Sequence, residues 1–138
     1  MTINNRTQSQ LGTGARGMVS GFISNGSTWY EDVEMTQDDT VITNADTWDW
    51  QLVLRDSYDN SPALTLSTTA GTLVISQGSS STTLQIRVAA DNLSALEGDY
   101  LCDIASLDTS DTTYDSAGRS IHWAHGVITV INEPTAFS

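Results

Sequence analysis

Lysine is absent from the 138 residues, and five arginines are the whole basic complement against 17 acids. The resulting net charge of −12 leaves no basic stripe for neutralising phosphates, so no nucleic-acid partner is expected. The same sign opposes anionic membranes. Cysteine is nearly absent as well. Cys102 stands alone, which rules out an intrachain disulfide and fits assembly in a cytoplasm. No apolar run approaches the ~20 residues of a membrane-spanning helix. Residues 1–17 lack the apolar core of a signal peptide. These absences predict a soluble protein made in a cytoplasm, without a membrane partner. Helical patterning is missing too, beyond one capped turn at Asp91–Leu96.

What is present is alternation. In the stretch from Thr47 to Asp56, Trp48, Trp50, Leu52 and Leu54 fall on one face of a strand, and Asp49, Gln51, Val53 and Arg55 on the other. A stripe that heavy needs a facing sheet, so this is the expected central strand of a sandwich. Thr28–Met35 alternates Trp29, Glu31, Val33 and Met35 against Tyr30, Asp32 and Glu34. Thr82–Val88 does the same with Leu84, Ile86 and Val88, and Tyr100–Ile104 turns Tyr100, Cys102 and Ile104 inward. Met18–Ile23 is a weak strand, 63–67 and 72–76 are short ones, and Ile121–Ile131 is the last, stopped by Glu133-Pro134. Thr36–Asp46 reads as an acidic loop and Leu107–Arg119 as a polar hairpin loop. Seven to eight strands, with turn residues about every ten positions, predict one all-β domain: an immunoglobulin-like antiparallel β-sandwich. Trp50, Leu52, Leu84, Ile86, Tyr100 and Ile104 are expected to be buried together between its sheets.

Residues 1–17 are polar and glycine-rich, hold Arg6 and Arg16 and no acid, and offer Leu11 for burial. They predict an extended N-terminal arm ahead of a sandwich at 18–138, either folded back on its own domain or, the reading favoured here, docked on a neighbouring subunit through Arg6, Leu11 and Arg16. Residues 18–138 carry three arginines against 17 acids, net −14, so a sister subunit is one acceptor for the arm.

The residues that could carry catalysis or a metal also fit plainer roles. His122 and His125 are three apart, which on a regular strand puts the imidazoles on opposite faces and denies them a shared metal. Cys102 points inward, where a small thiol is inert. Asp108, Asp111 and Asp115 lack the spacing, glycine and terminal glutamate of an EF-hand, and Asp38-Asp39 reads as solvated loop. No nucleophile elbow, P-loop or zinc-protease motif is present. Neither enzyme activity, metal nor cofactor is expected. Tyr30, Tyr58, Tyr114 and Trp123 are the aromatics free for a sugar platform, which makes a carbohydrate-binding or host-adhesion module the alternative function. The last strand is apolar on both faces, with Trp123, Val127 and Ile131 on one and Ala124, Ile128 and Val130 on the other. A strand of that kind is covered twice or offered to a partner, so Trp123, Val127 and Ile131 join the expected interface.

One ordered set of segments carries a family resemblance: NGSTWYEDVEM, WDWQLVLRD, LTLSTTAGTLVI, TTLQIRV, AADNLSALEGDYLCDI and a closing HGVITV. Over roughly residues 22–131 this pattern resembles small tailed-bacteriophage virion proteins. Their immunoglobulin-like domain is similar to the N-terminal domain of phage baseplate upper proteins. The resemblance implies a non-enzymatic structural protein of the virion, assembled in the host cytoplasm. It implies repeated copies or a homo-oligomer on capsid, neck or tail, with other virion proteins as partners.

Overall fold

A computed structural model describes residues 2–5, 17–37 and 40–134. Among them the chain forms ten strands and two short 3-10 turns, at Ala45–Thr47 and Ala90–Asn92. The strands are β1 (Thr2–Asn5), β2 (Gly17–Ser24), β3 (Trp29–Gln37), β4 (Thr40–Val41), β5 (Asp49–Arg55), β6 (Leu64–Ser67), β7 (Leu73–Gln77), β8 (Thr82–Val88), β9 (Gly98–Asp108) and β10 (Arg119–Ile131). One sheet has the order β1-β3-β8-β7, with β4 attached to β3; the other has the order β2-β10-β9-β5-β6. No helix among the described residues is long and apolar enough to cross a membrane.

The expected core is buried: Trp50, Leu52, Leu84, Ile86, Tyr100 and Ile104 belong to one cluster between the sheets. The alternation that predicted β3, β5 and β8 is the alternation of their burial. One end of the core is a stack of indoles. Trp50 lies 5.3 Å from Trp123 and 6.2 Å from Trp48, ring centre to ring centre. Two of these indole N–H groups have buried partners: Trp50 Nε1 donates to Ala45 O at 2.9 Å and Trp123 Nε1 to Ser106 Oγ at 2.8 Å. These bonds offset the cost of carrying polar atoms inside.

Four expectations need correction. The sheets are mixed rather than antiparallel, because β1 runs parallel to β3 and β2 parallel to β10. The acidic stretch at 36–46 contains the end of β3, β4 and a 3-10 turn, with Ile42 buried. The turn at Ala90–Asn92 has no side-chain cap and is held instead by buried Leu93 and Leu96 nearby.

The fourth concerns the arm. Arg6, Leu11 and Arg16 lie outside the described residues, as do Asp38 and Asp39. Residues on either side of the first three belong to the domain itself. Thr2–Asn5 pairs with Glu34–Gln37, and Ile3 is buried at 1% exposure. Gly17 opens β2 so close to Ile3 that a side chain there would collide with Ile3 Cγ2. Thr2–Asn5 and Gly17 are thus part of the sandwich, and the part of the arm among the described residues is folded back on its own domain.

Candidate interaction surface

Strand β10 decides which side chains face out. Its register against β9 jumps from His122–Ala105 to Ala124–Ile104, leaving Trp123 as one extra residue, a β-bulge. Across the bulge the inward phase shifts, so Trp123 and Ala124 both point into the core at 0% exposure. Trp123 is thus removed from the expected interface. The apolar residues the sequence placed on two faces of one strand are reconciled this way: those before and after the bulge obey different phases.

After the bulge, Val127 and Ile131 point outward, 42% and 38% exposed. The neighbouring strand extends their patch. β2 lies alongside with Met18 next to His125, Ser20 next to Val127 and Phe22 next to Thr129. Met18 is 70% and Phe22 73% exposed, while Val19 of the same strand is buried. The close approach depends on Gly126, where any side chain would collide with the Val19 carbonyl. On the other flank Leu101 of β9 stands opposite Val127, half-buried. The result is an outer face on β2 and β10 where Met18, Phe22, Val127 and Ile131 are exposed in alternation with polar Ser20, Ser24, His125 and Thr129. Thr129 Oγ1 donates to Asp99 Oδ1 at 2.6 Å, and His122 Nε2 lies 2.9 Å from Asp103 Oδ1. Single exposed apolar residues are ordinary, whereas several gathered on one face mark a contact surface.

The bulge also places both imidazoles on this outer face, since His122 stands opposite Ala105 and His125 opposite Asp103. The expected opposite placement is overturned by the same extra residue. Among the described residues no group of three His, Cys, Asp or Glu side chains is placed to hold a metal ion. His125 Nδ1 is buried and has no hydrogen-bond partner among those residues.

The remaining candidates take plain structural places. Cys102 is fully buried, and burial, helped by the Asp103 charge, pushes its thiol up to about 12. A thiol held protonated in this way is a poor nucleophile. Asp108 accepts from Ser110 N and Oγ, which with Arg119 nearby lowers its pKa, and Asp115 Oδ1 accepts from Ala117 N. Asp111 lies 3.6 Å from Arg119. These carboxylates close turns. The exposed tyrosines do not converge: Tyr30 is on the outer face of the other sheet, under the Arg87 guanidinium at 3.5 Å. Tyr58 follows the Arg55 end of β5, and Tyr114 is on the hairpin beyond the Asp49 end.

No protein-family model matches the chain, and no curated protein is detectably similar to it.

Proposed function

We propose that this protein is a non-enzymatic structural component of a bacteriophage virion, present in repeated copies and attached through the outer face of β2 and β10. The observation that carries the docking half is that four exposed large apolar side chains, Met18, Phe22, Val127 and Ile131, gather on one face of two neighbouring strands of an acidic protein. Leaving such a group in water forgoes about 25 cal/mol for each Å² of apolar surface that a partner could cover. The virion half is supported by the ordered segments that resemble phage virion proteins. The strand order also favours an immunoglobulin-like domain, with β3-β8-β7 against β10-β9-β5-β6 and β2 parallel to the last strand. Other virion proteins or sister copies are the partners, and the place of action is the assembled particle. Immunogold labelling of purified particles tests it: label on the capsid, neck or tail at several copies is expected. Absence from particles, together with selective binding on a glycan array, would overturn it in favour of an adhesion module.

A further inference from the structure

Strand β2 is the edge of its sheet. β10 pairs with it on one side, and no strand among the described residues lies on the other. Natural sheet edges are blunted by charges, proline or a bulge, because open backbone groups recruit another strand. β2, Gly17-Met18-Val19-Ser20-Gly21-Phe22-Ile23-Ser24, has no charged residue and no proline, and its register with β10 runs unbroken. Backbone groups of successive residues point to opposite sides of a strand. Asn25, just past the end of β2, donates its N–H to Ile131 O of β10 at 3.0 Å, and the Val19 carbonyl lies against Gly126 of β10. The backbone groups of Val19, Gly21 and Ile23 therefore face β10, and those of Met18, Ser20 and Phe22 face the open side.

The same strand fits itself. Directly opposite residues of an antiparallel pair share a face. A second β2 laid antiparallel, with Ser20 opposite Ser20 of the copy, puts Met18 opposite Phe22 of the copy on the outer face, and Phe22 opposite Met18. On the inner face it puts Val19 opposite Gly21 and Ile23 opposite Gly17. Each large inner side chain thus meets a glycine, and each thioether meets an aromatic ring. Gly21 has open space where a side chain would begin. Behind it lies a cavity of about 90 Å³ between the sheets, lined by Val19, Ile23, Trp29, Val33 and Ile128 among others. Sliding the copy along while keeping the faces matched separates Met18 from Phe22, so one register is selected.

We infer that two copies of this chain pair through β2 across a two-fold axis, joining their five-stranded sheets edge to edge. The inference rests on the contact role proposed above for the β2–β10 face and names a sister copy as its occupant. Charge selects that occupant over a basic segment. β2 offers no carboxylate, Asp99 already accepts from Thr129, and Asp103 faces His122. A neutral strand is matched by a neutral strand, and this chain carries one. The −12 on each chain opposes pairing at long range, so the dimer tightens as salt rises, the reverse of an ion-paired complex.

Sedimentation velocity of the full chain over a concentration series tests the pairing. A dimer that grows with concentration is expected, severalfold tighter at about 0.5 M than at about 0.02 M sodium chloride. Ser20 is exposed and stands opposite itself, so Ser20→Asp should weaken pairing about tenfold or more by setting two carboxylates face to face. Ser20→Lys should weaken it as well, and an equimolar mixture of the two variants should restore it as a heterodimer. Phe22→Asp replaces them should either not fold, and should weaken pairing likewise. Monomer at every concentration up to about 1 mM, or no recovery in the mixture, would overturn the inference. Amides of Met18, Ser20 and Phe22 already protected from exchange in the monomer would overturn it too, because the chain itself would then hold the edge. If the isolated chain stays monomeric while assembled particles shield Met18 and Phe22, the sister copy is overturned and the contact face stands. If particles leave both residues open, the contact face falls with it.

Discussion

On the outer face of the β1-β3-β8-β7 sheet, Tyr30 is 71% exposed yet covered by the Arg87 guanidinium, which also holds Asp32 at 2.8 Å. On the outer face of the β2-β10-β9-β5-β6 sheet, Phe22 is equally exposed and Met18 nearly so, and among the described residues no guanidinium lies over the Phe22 ring. Both faces come from the same alternation and enclose the same core. One is finished for water by an ion pair and a cation–π contact, and the other is left apolar. The difference teaches that exposure alone does not identify a docking face; what matters is whether the exposed ring has been given a polar cover.

The core that both faces share gives the largest expected effects. Trp123→Ala should cost about 3–5 kcal/mol, the range for deleting a buried aromatic, because it empties the indole stack and strips Ser106 of its partner. Urea unfolding checks this, and a variant as stable as the parent would return Trp123 to the surface. Ile3→Ala should cost about 2–5 kcal/mol, and deleting residues 1–5 should destabilise the domain as well. An unchanged melt in either case would restore the picture of a dispensable arm.

Smaller effects separate the two faces. Arg87→Ala should lose about 0.5–1 kcal/mol from the contact with Tyr30, read by thermal melting. Phe22→Asp should stay within about 0.5 kcal/mol of the parent while reducing self-association or attachment in sedimentation, since nothing in the fold depends on that ring. The reverse pattern would exchange the roles assigned to the faces. Smallest is the hairpin. The Ser110 hydroxyl holds the Asp108 carboxyl below its usual value, so this pair stabilises the fold above the ordinary carboxylate range and the gain fades as pH falls through the lowered value. Ser110→Ala should raise the Asp108 midpoint in a titration followed by magnetic resonance.

Strands whose partners are buried on one side only were legible from alternation: Trp29–Met35, Trp50–Leu54 and Leu84–Val88 fall inward as their spacing requires. β2 was not, because Met18-Val19-Ser20-Gly21-Phe22-Ile23 has apolar residues in both phases, and only pairing with β10 sends Val19 in and Phe22 out. Nor was the bulge, since the extra residue at Trp123 exists only relative to β9. That one register shift hid which apolar residues of β10 face outward and the common side of His122 and His125. β1 escaped notice because a single isoleucine among polar neighbours carries no period. Of the expected interface residues, Val127 and Ile131 are on the face, Trp123 is not, and Met18 and Phe22 are its main members.

The central claim is that the β2–β10 face, and not the Tyr30 face, is the one a partner covers. Hydroxyl-radical footprinting of the isolated protein and of the same protein in its assembled particle or oligomer measures this on both faces at once. Oxidation of Met18 and Phe22 should drop on assembly while Tyr30 and Tyr114 stay as reactive as before. Protection of Tyr30 with Met18 and Phe22 still fully oxidised would contradict the account.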